Sequence, residues 1–375
     1  MRARECGGDG HDLGVRVDSA EDGGVGVRRG HRRGRRAAGD SDDHDDGARV
    51  DGSGDDAVAG DDIATRPTPN YLNATICRFV YIARVHKATN CRIFVMGWGM
   101  GGHIRYERIS GSSAPHGASA DSGDTSSIGV ITIDRPEKRN AMTFAVLFDF
   151  IEAVREASMD ETISVLIVTG VPGSFCAGTD LADLSTIPGE QRGLRGSAEE
   201  TDKWWPLVQC SKPTICAIDG PAVGMGAEFT SQCDLRIAST NARFAWNFVH
   251  RGLVPDTGAG TWLLPRIIGL QNALRLTYTG DMIDADEALR LGYVLEVVEP
   301  EDLMERAVTL ARRIAQGSPH SHRLIKSLTY EGLTSSVPEH MERHTTAMSA
   351  SFKSADHREG VAAFLERRPA RFTGR

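Results

Sequence analysis

Gly220-Pro-Ala-Val-Gly-Met-Gly-Ala-Glu228 decides the fold of this chain, because it follows a buried strand and opens a helix. The preceding run, Thr214-Ile-Cys-Ala-Ile-Asp219, is short, apolar and β-branched, which predicts that strand. Free N–H groups at the helix start favour a developing oxyanion, and Glu228 adds a proton carrier. A structural interpretation stays open, in which the glycines only let the helix pack against the sheet.

A second glycine-rich segment, Gly173-Ser-Phe-Cys-Ala-Gly-Thr-Asp-Leu181, also follows a strand, Val165-Leu-Ile-Val-Thr169. Two strand-end loops can supply two N–H donors to one oxygen, each worth roughly 3 kcal/mol in a dry site. Neither loop matches GxxxxGK[ST], and Phe229 stands where GxGxxG needs a glycine. The pair therefore favours an oxyanion site over a nucleotide site.

Strands and helices alternate along the rest of the chain, which predicts the α/β class. Further strands are expected at 128–133, 235–238 and 294–299, with a helix through 144–154. After Glu301 the pattern is helical to about Arg367, with breaks at 317–319 and 332–338. One face of this region is apolar, so it needs its own core or a neighbouring subunit to pack on.

Residues 1–99 differ in composition from the rest. The first 64 are crowded with Gly, Asp, Arg, Ala and His and have no sustained apolar period, which predicts disorder. Arginines between 28 and 36 precede acids between 40 and 46 without interleaved aromatics, a pattern more typical of a solvated tail than of nucleic-acid binding. An overextended gene start before Met100 is the alternative interpretation.

The composition of the chain limits its binding partners, its cysteine chemistry and its location. The net charge is −8, which gives no reason to expect a polyanionic partner. Seven cysteines without a close CxxC pair fit reduced thiols better than disulfides or a metal site, and no metal is expected. Neither a secretory signal nor an apolar run of membrane-spanning length is present, so the prediction is a cytoplasmic protein without a membrane partner.

Five motifs occur in order, and with them the chain resembles the enoyl-CoA hydratase/isomerase, or crotonase, superfamily from about Ile128 to Arg375. They are Arg135-Pro-Glu-Lys-Arg-Asn-Ala-Met142, Phe175-Cys-Ala-Gly-Thr-Asp-Leu181, Gly220 to Glu228, Cys233-Asp234 and His357-Arg-Glu-Gly-Val-Ala-Ala-Phe364. The resemblance implies a crotonase-like spiral of ββα units over 100–300 and a helical trimerisation region over 301–375. It also implies an acyl-CoA substrate, no separate cofactor, and a homotrimer or dimer of trimers.

The resemblance assigns the site residue by residue. The N–H groups of Ala177 and Met225 would bind the thioester oxygen, and Glu228 would move a proton. Substrate-binding positions follow in the two loops and in the last helix, where an aromatic and a cation would reach the coenzyme A of a neighbouring subunit: Cys176, Gly178, Thr179, Asp180, Leu181, Gly224, Phe364 and Arg367.

The chain departs from the family's hydratases at one position, where Phe248 replaces their second glutamate. Asp256 matches an aspartate that several related isomerases use, although a turn residue after Pro255 is the structural alternative. Trp246 and Phe248 are expected to wall the acyl pocket, and His250 is left outside the site. Double-bond isomerisation is the favoured reaction, followed by hydration; a non-catalytic acyl-CoA binder and a thioester hydrolase stay as alternatives.

Overall fold

The computed structural model describes residues 96–100, 102–110, 127–186 and 204–375, with the backbone alone for 96–100 and Ser110. The predictions for residues 1–95 lie outside the described residues. The expected boundary between residues 99 and 100 falls inside the first strand, which covers Met96–Met100 and pairs antiparallel with the second, Ile104–Ser110.

Ten strands form two sheets in the described ranges. They are β1 Met96–Met100, β2 Ile104–Ser110, β3 Ser127–Ile133, β4 Ile163–Gly170, β5 Thr214–Ile218, β6 Pro221–Val223, β7 Leu235–Ser239, β8 Arg243–Ala245, β9 Ile283–Asp284 and β10 Glu296–Val298. The larger sheet has the order β1-β2-β3-β4-β5-β7-β10, antiparallel up to β3 and parallel beyond it. The smaller has the order β6-β8-β9.

Twelve α-helices are described. They are α1 Phe144–Met159, α2 Leu181–Ser185, α3 Pro206–Gln209, α4 Met225–Gln232, α5 Ala259–Trp262, α6 Leu264–Ile268, α7 Leu270–Thr279, α8 Ala285–Arg290, α9 Leu303–Ala315, α10 Pro319–Gly332, α11 Val337–Lys353 and α12 Ala355–Glu366. Two 3₁₀ turns cover Pro136–Lys138 and Asn247–Arg251. None of these helices has both the length and the apolarity needed to cross a membrane.

Both faces of the parallel strands are buried, which explains why their sequences are apolar throughout. Successive side chains of a strand point to opposite faces. Leu166 and Val168 of β4 therefore join the core that includes α1, while Val165 and Ile167 pack in a second cluster with α9. The α/β class predicted from the alternation is confirmed.

The glycine-rich stretch from Gly220 folds differently from the expectation in one respect. An additional strand, β6 at Pro221–Val223, lies beside β8 before α4 begins at Met225. Three residues with a proline and flanking glycines give too short a pattern for sequence analysis to detect. The result is a strand–strand–helix unit of β5, β6 and α4.

The C-terminal helices follow the predicted breaks, since α9 ends before Gly317 and α11 begins after Ser336. Sequence analysis missed one more break at Ser354, whose hydroxyl accepts the His357 N–H and starts α12. Helix α10 is anchored next to β7 by a largely buried ion pair between Lys326 Nζ and Asp234 Oδ2 at 3.0 Å.

Candidate active site

The two glycine-rich loops are joined by main-chain hydrogen bonds. Cys176 N donates to Pro221 O at 3.0 Å, and Val223 N donates to Cys176 O at 2.9 Å. Gly226, in the first turn of α4, lies so close to Cys176 that an added Cβ would collide with the carbonyl oxygen of that residue. The convergence of the loops that the sequence predicted is thus built from backbone contacts that need glycine at 226.

Asn140 supports the glycine-rich loop at residues 173–181, a role that sequence analysis did not assign to it. Its buried side chain donates to Ser174 O at 2.6 Å and to Phe175 O at 3.2 Å. Its Oδ1 accepts the Arg135 N–H at 2.7 Å, which closes the turn before α1. The sequence signal for this role was the Arg135–Met142 motif, which contains Asn140 but does not show which loop its side chain supports.

We expect Gly226→Ala to lower the free energy of unfolding by about 2–3 kcal/mol, because a methyl group there pushes α4 away from Cys176. Gly360→Ala in α12 is the matched control, since its Cβ would meet the Phe372 ring at an ordinary 3.5 Å. That change should leave stability equal or raise it, as alanine favours a helix. Urea unfolding curves decide the comparison; equal midpoints would contradict the tight contact.

The structure corrects the predicted donor Ala177. Its main-chain N–H donates to Arg139 O at 3.0 Å and is therefore already engaged. Sequence spacing does not show this, because residues 139 and 177 meet only in the folded chain.

Thr179, two residues further along, is the alternative N–H donor in this loop. Met142 N donates to Gly178 O and Asp180 N donates to Met142 O, so the N–H between them points to the opposite side. No hydrogen bond of the described residues engages the N–H of Thr179 or of Met225. A Cβ at Gly178 would lie 3.6 Å from Met225 N, which shows how closely the two loops approach.

Glu228 is fully buried on α4. Thr257 Oγ1 donates to its Oε2 at 2.8 Å. Burial, the largest cause, and the negative charge of Asp256 together raise the pKa of Glu228 to about 8, while the Thr257 hydroxyl and the N–H groups of Gly260 and Ala259 act to lower it. Near neutral pH this carboxyl group can therefore both give and accept a proton. Sequence analysis missed Thr257, although it adjoins Asp256.

The raised pKa of Glu228 makes stability fall as pH rises. Its ordinary value is 4.5, so between that pH and about 8 the folded protein holds a proton that the unfolded chain has lost. We expect a loss of up to roughly 5 kcal/mol across this range. Urea unfolding at pH 5 and pH 8 gives the free energies of unfolding of Glu228→Gln and the wild type. The difference between the two should be larger at pH 8 than at pH 5, and an equal difference at both pH values would contradict the raised pKa.

Asp256 is exposed and lies beside the glycine-rich loop at residues 173–181, where its Oδ2 accepts from Thr179 Oγ1 at 3.4 Å. It is also close enough to Glu228 for its charge to raise the pKa of that residue. The structure thus brings together the two carboxyl groups that the sequence singled out.

Phe248, in the 3₁₀ turn Asn247–Arg251, places its ring beside the start of α4, 3.8 Å from where a Cβ on Gly224 would stand. Gly224 itself has a φ of 55°, which favours glycine. Trp246 is fully buried and packs edge-on against Tyr293, with the ring centroids 5.1 Å apart. It therefore lies on the core side of the site. His250 contacts Thr279 O at 2.8 Å through Nε2, away from the carboxyl groups.

Two side chains predicted to bind substrate are engaged within the chain instead. The Cys176 thiol is fully buried, which raises its pKa to about 12. Asp180 pairs with Arg135 at 2.9 Å, which lowers the carboxyl pKa, and it caps α2 through Ala182 N. Their side chains thus shape the loop, and their role in substrate binding stays a prediction.

The other predicted contacts lie in exposed places. Leu181 at the start of α2 is 54% exposed, and Phe364 on α12 is 82% exposed. Arg367 ends α12 in a left-handed conformation. The reach of Phe364 and Arg367 to a neighbouring subunit stays a prediction.

Comparison with known proteins identifies close similarity over this same region. The sequence profile of the enoyl-CoA hydratase/isomerase family matches residues 123–375. A crotonyl-CoA hydratase of Syntrophomonas wolfei is 37% identical over 250 residues, which cover 65% of this chain and 94% of the relative. A 1,2-epoxyphenylacetyl-CoA isomerase of Escherichia coli is 36% identical with the same coverage.

Solved structures give the same result for the fold. The crystal structure of an enoyl-CoA hydratase from Mycobacterium tuberculosis superimposes with a TM-score of 0.60 and 34% sequence identity. The match covers 66% of this chain and 96% of that structure.

Proposed function

Because this chain belongs to the enoyl-CoA hydratase/isomerase family, we propose that it moves a carbon–carbon double bond in unsaturated acyl-CoA thioesters, with Glu228 and Asp256 as proton carriers. Two relatives support this proposal, because one is named a crotonyl-CoA hydratase and the other a 1,2-epoxyphenylacetyl-CoA isomerase. Coenzyme A enters as part of the substrate, and the proposed chemistry needs no separate cofactor.

The N–H groups of Thr179 and Met225 would bind the thioester oxygen. Two donors aimed at one oxygen stabilise an enolate, which makes the α-carbon acidic. One carboxylate then removes a proton from carbon 2 or 4, and the other carboxyl group delivers one to the second of these carbons. The double bond shifts by one position, and the two carboxyl groups end with exchanged protonation states. Proton exchange with solvent then restores the starting states before the next turnover.

The observation that carries this proposal is the juxtaposition of Glu228 and Asp256. Glu228 has a pKa near neutrality, while the Asp256 carboxylate raises it across the same site. Pairs of carboxyl groups in such different environments divide acid and base roles between them. Phe248 stands where a hydratase would place its second glutamate, which favours isomerisation over the addition of water.

Purified protein assayed with trans-2-, cis-3- and dienoyl-CoA substrates tests the proposal. We expect the cis-3 substrate to be converted to its trans-2 isomer with faster turnover than hydration of the trans-2 substrate. Hydration as the faster reaction would overturn the isomerase assignment, and release of free coenzyme A would identify a hydrolase. Binding without turnover would identify an acyl-CoA binder. An epoxide of an aromatic acyl-CoA belongs in the same panel, because of the Escherichia coli relative.

We also propose that residues 301–375 mediate assembly into a trimer or a dimer of trimers. Large apolar side chains on α11 and α12 are exposed in the single chain: Met341, Met348, Phe352, Val361, Phe364 and Leu365. Exposed apolar patches of this kind mark association sites. Analytical ultracentrifugation measures the state directly, and a monomer at micromolar concentration would reject this assignment.

A further inference from the structure

Gln232, at the end of α4, has an amide orientation that the structure determines. Its Nε2 donates to the Trp204 carbonyl oxygen at 2.9 Å. A carbonyl oxygen only accepts hydrogen bonds, so the NH₂ group must face this side. The same Nε2 lies 3.3 Å from Thr257 Oγ1 and therefore donates to it.

Thr257 consequently has one direction left for its hydroxyl proton. Its oxygen accepts from Gln232 Nε2 and, at 3.4 Å, from Ala259 N. A hydroxyl group has two acceptor positions and one proton, and the remaining neighbour is Glu228 Oε2 at 2.8 Å. Trp205 Nε1 also donates to the Thr257 carbonyl oxygen at 2.8 Å, which fixes the backbone of this residue.

The two oxygens of Glu228 are therefore unequal. Oε2 always accepts from Thr257, whether the carboxyl group is charged or neutral. Oε1 is buried and accepts no hydrogen bond within the usual limits of distance and angle from the described residues, and the N–H groups of Gly260 and Ala259 lie close to the carboxyl group. A proton on the neutral carboxyl group is thus directed to Oε1.

We propose that Thr257, oriented by Gln232, is a positioning residue that holds Oε2 of Glu228 as an acceptor and so makes Oε1 the oxygen that exchanges the proton with the substrate. This inference rests on the proposed function, since it concerns how Glu228 presents its proton. The hydrogen bonds run from Gln232 to Thr257 to Glu228, and Gln232 and Thr257 lie outside both glycine-rich segments.

Few ionisable groups of the described residues surround Glu228, so a change in its titration can be traced to its cause. The elements that pack most against α4 are β6, α3 and α5, and none of them contains an ionisable side chain. The charged group that acts on Glu228 is Asp256, which raises its pKa, whereas the Thr257 hydroxyl lowers it. Loss of the hydroxyl should therefore move the titration of Glu228 upward, provided that Asp256 is unchanged.

The decisive experiment is infrared titration of the Glu228 carboxyl group in the full-length protein without substrate, with Glu228→Gln used to assign the band. We expect Thr257→Val to raise the titration midpoint by about one pH unit and to shift the carboxyl stretching frequency, because a hydrogen bond to Oε2 is lost. Thr257→Ser should restore both values. Thr261→Val is the matched control, because the exposed Thr261 hydroxyl donates to Gly258 O at 3.1 Å and not to a carboxyl group of the described residues.

Kinetics with the preferred enoyl-CoA complete the test. Thr257→Val should lower kcat about 10- to 100-fold with KM within about twofold, and Thr257→Ser should recover most of kcat. A folded Thr257→Val protein with the wild-type midpoint, frequency and kcat would overturn the proposal. If valine prevents folding, Thr257→Ala supplies the same comparison. Because the titration needs no turnover, inactivity on every substrate would refute the proposed function without affecting this readout.

Discussion

Glu228→Gln should abolish turnover on enoyl-CoA substrates by at least about 10³-fold while the fold persists. Glutamine has nearly the same shape and accepts the Thr257 hydrogen bond through its carbonyl oxygen, but it carries no transferable proton. Steady-state kinetics on the preferred substrate measure the loss, and circular dichroism at pH 7 checks the fold.

The same variant separates catalysis from binding. Since the N–H groups of Thr179 and Met225 are unchanged, affinity for a saturated acyl-CoA should stay within about threefold of the wild type. Calorimetric titration measures that affinity. Retained turnover, or a loss of binding as large as the loss of turnover, would contradict the assignment of Glu228 as a proton carrier.

Asp256→Asn should lower the isomerisation rate about 10²-fold, because one of the two proton carriers is removed. It should also lower the pKa of Glu228, since the carboxylate that raises it becomes neutral. The pH–rate profile should therefore shift toward lower pH, which is opposite to the shift expected for Thr257→Val.

Hydrogen–deuterium exchange distinguishes the two carboxyl groups. In D₂O, Asp256→Asn should still exchange protons at one of the two reacting carbons through Glu228 while exchange at the other is lost. Asp183→Asn is a suitable control, because this residue bonds to Phe144 N at 2.8 Å and lies outside the proposed machinery. Wild-type exchange at both carbons would show that Asp256 is a turn residue only.

Several parts of the fold were predictable because their causes are local. The parallel strands are apolar on both faces, as strands covered on both sides must be. Asp284 starts α8 by accepting the Glu287 N–H, an interaction between residues only three positions apart. Strand β6 and the break at Ser354 were missed because a three-residue strand and a helix break without glycine or proline leave too little pattern.

The site was predictable in its parts but not in its connections. Glu228 and Asp256 were found from their positions in two motifs, and both carboxyl groups lie close enough to interact. Ala177 was chosen as an N–H donor from the same motif, yet its N–H is bound to Arg139 O. Thr257 and Asn140 were missed because their roles depend on partners that lie 29, 34 and 35 residues away in sequence.

The sequence by itself determined the α/β class, the family, the two converging glycine-rich loops and the two carboxyl groups, because periodicity, turn residues and motif spacing are properties of neighbouring positions. Only the tertiary structure decided which N–H groups stay open, how far Glu228 is buried and which of its oxygens is held. Those properties depend on distant segments: Arg139 engages Ala177, burial and Asp256 raise the pKa of Glu228, and Gln232 orients Thr257. The stretch from Gly220 to Glu228 supplies the reactive groups, and the surrounding fold sets their chemistry.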